Sequence, residues 1–331
     1  MGKSIQIQDL RDADILLYHG SSWLSRAIRF FDGTPYNHAS INVGNDNVME
    51  AIAEGVVRRS IKESIAHYEP VIVMRLIDRP NDVSPVLSKA QQYEGKRYAY
   101  EQLLLLALIC SFRKVRLNNA VAKFVGKVLE GAASVLLKFT KGNKEALVCS
   151  ELVYRSYDEA IEGYNDPYTI YLEREHKIVR PKSSIVLENI NTSLISEYSI
   201  ASYFYGVNRT YAFNKLSASL CLKQKDIEEI YKSIKVTTVP SDTDFEILFN
   251  QAVDSYETED YNLDEGNEKE LKRSLDIFAV ASFYSRININ KFTITGSYGD
   301  ILQEFLKTNA NFVTPGDLYK AKNLQHIGAI K

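Results

Sequence analysis

The chain is short of cysteine, of net charge and of long apolar runs, and each shortage excludes a class of protein. Its 331 residues hold 3 cysteines, Cys110, Cys149 and Cys221. An odd number with no Cys-x-x-Cys spacing supports neither a disulfide framework nor a zinc site, and cysteine usage reads as cytosolic. The formal net charge is −2, so no overall field steers the chain toward nucleic acid. No basic patch is interleaved with aromatics as single strands require, and nucleic acid is not expected as a partner. The longest purely apolar run, Leu103 to Cys110, is far too short to span a bilayer. Residues Met1 to Asp12 are polar and lack the basic-then-apolar pattern of a secretory signal. The expectation is a cytoplasmic protein, unless a dedicated secretion system exports it.

What is present suffices for folding: with 45% hydrophobic and 25% charged residues, the chain can bury one large core or two smaller ones. Asp14 to Tyr18 reads as a buried strand, Ser22 to Phe31 as a short helix opened by a serine cap, and Asn37 to Val43 as a half-buried strand. Val48 to Ala53, Gly55 to Arg59 and Val71 to Ile77 continue as strands separated by turn residues, giving a small antiparallel sheet. Helical spacing follows over Val83 to Glu94, Tyr98 to Ser111, Ala120 to Phe139 and Val148 to Ile161. Beyond about residue 176 the pattern is mostly helical: Ser193 to Tyr205, Asp226 to Ile234, Thr243 to Tyr256, Glu268 to Ile287 and Tyr298 to Lys307. No internal repeat is visible at the usual periods. The stretch Asp254 to Asp276, with nine acids against three bases, reads as a solvated loop and helix face.

The most informative run is Cys149-Ser150-Glu151-Leu152-Val153 at the head of an apolar-periodic segment, with Tyr36-Asn37-His38-Ala39-Ser40-Ile41 far upstream. A cysteine at a helix N-terminus facing a histidine on a strand is how a papain-type nucleophile is built, because the helix dipole and an imidazolium both favour thiolate. A neutral thiol is a modest nucleophile at neutral pH, so an imidazole must take its proton and later give it to the leaving group. A third group must hold that ring in the right tautomer. Here histidine precedes cysteine, the reverse of papain.

Further blocks carry a resemblance. Asp14-Ile15-Leu16-Leu17 with Gly20-Ser21-Ser22, the His38 block, Met49-Glu50-Ala51 with Gly55-Val56, Gly95-Lys96-Arg97-Tyr98 and Val148-Cys149-Ser150-Glu151-Leu152-Val153 stand in that order. Together they resemble the YiiX-like branch of the NlpC superfamily, the permuted papain-fold amidases. The likeness covers about residues 12 to 165, and Thr314-Pro315-Gly316-Asp317-Leu318 is similar to the element that closes those domains. It implies an α+β fold: a circularly permuted papain-like domain over residues 1–175, closed by 308–331; the helical pattern over 176–307, about which the resemblance says nothing, reads as an insertion domain. It also implies a cysteine hydrolase acting on an amide or acyl bond through a thioester, with Cys149 as nucleophile, His38 as general base and Glu50 as the carboxylate that orients the imidazole. The bacterial substrate it suggests is a cell-wall stem peptide or an acylated amino acid.

Parity constrains Glu50. Side chains alternate along a strand, so Glu50 helps His38 only if both lie on one sheet face. A hairpin closed by a plain two-residue loop, Asn45-Asp46, would pair Glu50 with Ile41 and aim it wrongly. A three-residue loop or a bulge pairs Ser40 with Glu50 and sets Glu50 diagonally beside His38, so an odd loop or a bulge is predicted. Glu54 shares the parity and competes for the role. The oxyanion hole would use the Cys149 backbone N–H, with Tyr18 and Ser150 as candidates for oxyanion or substrate contacts. His19, His67, His176 and His326 show no ligand spacing. Thiol chemistry needs no cofactor, and neither a cofactor nor a metal is indicated.

Along Ala120 to Phe139, Val121, Phe124, Val125, Val128, Leu129, Ala132, Val135, Leu136 and Phe139 share one helical face opposite Lys123, Lys127, Glu130, Ser134 and Lys138. With eight bases against one acid from Phe112 to Lys144, this helix is a candidate for lying on an anionic membrane surface or roofing an acyl-chain groove. The plainer reading is that it covers the sheet. Two alternatives to the amidase stay open: a lipid thioesterase or acyltransferase of the same fold, and a non-catalytic protein whose helical insertion binds a protein partner beside a vestigial site.

Overall fold

The computed structural model describes residues 4–52, 54–95, 101–112, 116–139, 149–161, 166–172, 240–258, 263–286 and 313–330. The chain divides into two compact units: residues 1–109, 145–176 and 312–331 form the first, and 110–144 with 177–311 the second.

The first unit is built on a seven-stranded sheet. In chain order its strands are β1 (Ser4–Ile5), β2 (Ile15–Tyr18), β3 (His38–Gly44), β4 (Asn47–Ile52), β5 (Gly55–Ser60), β6 (Val71–Leu76) and β7 (Leu324–Ile330). Their spatial order is β1-β7-β6-β2-β3-β4-β5. All neighbours are antiparallel except β1 and β7, where Ser4 pairs with Ala329 in parallel. The sheet is therefore mixed rather than wholly antiparallel, because the two ends of the chain meet side by side. The helices of this unit are α1 (Trp23–Asp32), α2 (Ile61–Ile65), α3 (Ser84–Gln92), most of α4 (Glu101–Phe112) and α6 (Cys149–Asp158), with the short α9 (Pro315–Tyr319) before β7.

Local chemistry sets these boundaries. Ser22 accepts a hydrogen bond from the Ser25 N–H and so caps α1, while Gly33 at φ 67° ends it, a left-handed conformation that glycine adopts without steric cost. Ser60 and Glu63 form a reciprocal capping box on α2, and Thr314 and Asp317 do the same on α9. Asn45 and Asp46 both have positive φ, as a two-residue hairpin turn of matching twist requires. The β3–β4 ladder pairs Gly44 with Asn47 and Asn42 with Val48, leaving Val43 as an extra residue. That bulge restores the pairing of Ser40 with Glu50, which a plain two-residue turn would have lost.

Buried polar groups tie the unit together. Arg75 on β6 donates twice to Asp14, at 2.6 Å each, and Asp14 is fully buried. A two-pronged pair of this kind spends little of its charge uncompensated. The closing segment is held at two points, where the Ser150 hydroxyl donates to the Val313 carbonyl (2.6 Å) and the Gly316 N–H donates to Asp32 (2.9 Å), and it is braced internally by the Asp317 N–H donating to Thr314 (3.0 Å). Gly316 is obligatory, since a Cβ there would lie 2.6 Å from Thr34 Cγ2.

The second unit contains α5 (Asn119–Phe139), α7 (Asp242–Glu257) and α8 (Glu265–Arg286). Both α7 and α8 pack along α5. The apolar stripe of α5 from Val121 to Leu136 is buried, and Phe124 meets Phe249 of α7 at a tilt of 48° with ring centroids 5.5 Å apart. Lys127 on its polar side pairs with Glu130 at 2.9 Å. Within this unit the stripe thus packs against α7 and α8. This packing also groups residues 110–144 with the rear of the chain rather than with the front. The helical segments expected at 193–205, 226–234 and 298–307 lie outside the described residues. Among the described residues, no helix is long and apolar enough to cross a membrane.

Candidate active site

One face of the β2–β3–β4 region gathers the polar side chains. Tyr18 pairs with His38 across β2 and β3, and Ser40 pairs with Glu50 across β3 and β4. Directly opposed residues in antiparallel strands point the same way, so all four project from one side. His38 Nε2 lies 3.1 Å from Glu50 Oε2, with both side chains almost fully buried. A carboxylate only accepts, so Nε2 carries the ring proton and Nδ1 is the basic nitrogen. The bulge at Val43 is what brings this pair together.

Glu50 stays charged despite its burial. Desolvation opposes the carboxylate, but hydrogen bonds from His38 and Ser64 and the positive charge of Arg59 outweigh it and hold Glu50 below the ordinary carboxylate range. Ser64 donates to Oε2 at 3.0 Å, and Arg59 Nε lies 3.5 Å from Oε1. The competitor Glu54 is exposed in the turn between β4 and β5. Two aromatic rings, their own centroids 5.0 Å apart, lie beside the imidazole: Tyr18 at 5.0 Å and tilted, Tyr68 at 6.0 Å and stacked.

Cys149 is the first residue of α6 and is fully buried. Helix α6 packs against β3 and β4, the strands that carry His38 and Glu50, within the first unit. A helix N-terminus presents backbone N–H groups without intrahelical partners and a positive dipole end, both suited to a thiolate or an oxyanion. Cys110, in contrast, sits fully buried in α4, where desolvation pushes its thiol far above the usual range, as suits a small core residue.

Two candidates occupy other roles. The Tyr18 hydroxyl is fully buried between Ser40 Oγ (2.6 Å) and Ser64 Oγ (2.8 Å), so its single proton is engaged inside the site rather than offered to an oxyanion. The Ser150 hydroxyl is engaged with the Val313 carbonyl, which makes its side chain an anchor for the closing segment. His19 bonds the Pro35 carbonyl through Nδ1, and His67 and His326 are exposed. Among the described residues no group of His, Cys, Asp or Glu side chains is placed to hold a metal ion. Sequence reasoning missed Ser64, Tyr68 and Arg59. Arg59 shares Glu50's parity across β5, a legible signal, whereas Ser64 and Tyr68 reach the site only because the chain after β5 folds back over this face.

No family model matches the chain. Over 161 residues it is 26% identical to the probable lipoprotein peptidase YaeF of Escherichia coli strain K12, a match covering 48% of this chain. The chain spans 59% of that relative's length. A crystal structure of the metalloprotein yiiX from Escherichia coli O157:H7 is 22% identical, with a TM-score of 0.30 over 46% of this chain and 66% of that one. At that score the likeness carries no inference.

Proposed function

We propose that this chain, whose YiiX-like resemblance is borne out by its curated relative, is a cysteine hydrolase that cleaves an amide bond through a thioester. Its order of His38, Glu50 and Cys149 then reflects a circularly permuted papain-like domain, with the second unit inserted in two pieces, residues 110–144 before the Cys149 helix and 177–311 before the closing segment. The observation that carries the reading is the buried His38–Glu50 pair, 3.1 Å apart, on the two strands against which the Cys149 helix packs.

The chemistry follows from these groups. Nδ1 of His38 takes the Cys149 proton, and the sulfur attacks the substrate carbonyl carbon. The resulting oxyanion is met by backbone N–H groups at the start of α6. The imidazolium, stabilised by Glu50, returns the proton to the departing amine, leaving a thioester. Water, deprotonated by the same imidazole, then releases the acid and restores the thiol.

The relative named a probable lipoprotein peptidase supports a peptide as the acyl donor, and a bacterial cell-wall stem peptide or an acylated amino acid is the class to try first. Incubating the full chain with a muropeptide digest and with N-acyl amino acids, followed by mass spectrometry, tests this. New termini with wild type and none with Cys149→Ala are expected; identical product lists from both proteins would overturn the proposal.

A further inference from the structure

Three hydroxyls, none of them in the Cys149–His38–Glu50 set, run in line into the carboxylate. Ser40 Oγ, Tyr18 Oη and Ser64 Oγ are joined by contacts of 2.6 and 2.8 Å, and Ser64 Oγ meets Glu50 Oε2 at 3.0 Å. The direction of this chain is fixed from its end. The carboxylate has no proton to give, so Ser64 must donate to Glu50. Ser64 has one proton, so it must accept from Tyr18, and Tyr18, its own proton used, must accept from Ser40. Three dipoles thus point the same way, and each strengthens the next in a buried setting. All of these side chains are almost completely excluded from solvent.

We infer that Ser64, backed by Tyr18 and Ser40, is a positioning residue that fixes Glu50 as a charged acceptor and thereby fixes the tautomer of His38. The inference rests on the functional reading of Cys149, His38 and Glu50. Ser64 is itself set by α2, whose Ser60–Glu63 capping box and buried Ile61 seat the helix over this face. His38 and Ser64 share the same oxygen of Glu50, so losing Ser64 frees the carboxylate to rotate away from the imidazole. The groups facing Glu50 are His38 from β3, Tyr18 from β2, Arg59 from β5 and Ser64 from α2. On α6, the other element packed on β4, the titratable and charged groups are Cys149, Glu151, Tyr154, Arg155, Tyr157 and Asp158, with Glu151 beside Arg155 at 3.8 Å.

The test needs no substrate. The rate of Cys149 alkylation by iodoacetamide, read on its tryptic peptide, is followed against pH for the full chain as wild type, His38→Ala, Ser64→Ala, Ser64→Thr and Tyr18→Phe. Weakening a charge-assisted bond to Glu50 raises the pH at which the ion pair is lost. Ser64→Ala is expected to move the acid limb upward by about one pH unit, Ser64→Thr to restore it, and Tyr18→Phe to move it less and in the same direction. A Ser64→Ala profile superimposed on wild type, where wild type still outpaces His38→Ala, overturns the relay and leaves the functional reading standing. Equal displacement by Ser64→Thr overturns it too, because that marks a packing effect. If Ser64→Ala does not fold, an unshifted Tyr18→Phe profile is the overturning result. Wild type reacting no faster than His38→Ala brings down both.

Discussion

Replacing Glu50 by glutamine keeps the volume and removes the charge. In the native site Oε2 accepts from both His38 (3.1 Å) and Ser64 (3.0 Å), and Arg59 lies 3.5 Å from Oε1. Glutamine cannot satisfy all three. If its carbonyl faces His38, its amide protons face the Arg59 cation; if it flips, two donors confront Nε2–H and Ser64. The second arrangement forces the imidazole into the other tautomer, and Nδ1 is then no longer basic. The loss is that of a hydrogen bond to a charged group, about 1.5–3 kcal/mol, which at about 1.36 kcal/mol per decade is roughly 10- to 150-fold in the rate of any step that passes through the imidazolium. The assay is alkylation of Cys149 near neutral pH, with circular dichroism to confirm the fold. The pH dependence of stability supplies an independent check. Glu50 is held below its unfolded value, so its contribution is present above the ordinary carboxylate range and is lost as pH falls through the folded value. Glu50→Gln should show a flatter fall in Tm over that acidic window. A variant alkylated within about twofold of wild type, a difference worth less than about 0.5 kcal/mol, would refute the role given to Glu50.

Other perturbations reach separate parts of the account. Asp14→Ala leaves the buried Arg75 without its carboxylate, and urea unfolding should register a loss of about 3–5 kcal/mol. Tyr157→Phe removes the buried hydroxyl that donates to the Ala13 carbonyl, costing about 1–3 kcal/mol if that carbonyl is left unpaired. Glu159, bonded by Lys89, Arg155 and Tyr93, is held down at about 2 in spite of partial burial. Its stabilising effect is full above about 4.5 and fades toward 2, so Glu159→Gln should flatten the acid limb of a Tm–pH curve over that range.

Much of the site was legible because strand periodicity is a strict rule. His38 and Glu50 could be helpful to one another only with an odd residue in the hairpin, and Val43 is that residue. The strands β2 to β6 and the helices α1 and α3 to α6 were readable from apolar spacing and caps. The parallel pair β1–β7 was not, since β1 has two residues and its partner lies at the opposite end of the chain. No local pattern reports that meeting. The stripe on α5 announced a buried face without saying what buries it, and the covering helices α7 and α8 lie far downstream. Ser64 was hidden for a related reason: a serine in a five-residue helix has no periodic signature, and only the folding of α2 over the sheet face gives its hydroxyl a carboxylate to meet.

The central claim is that Cys149 is an activated thiol rather than a buried apolar residue. The most direct measurement is its alkylation rate near pH 6 in wild type and in His38→Ala, well below the ordinary thiol value of about 8.5. The account predicts wild type faster by at least about tenfold, with reactivity persisting into acid as thiolate–imidazolium pairs allow. Equal rates in the two proteins, both rising only as an ordinary thiol ionises, would contradict it.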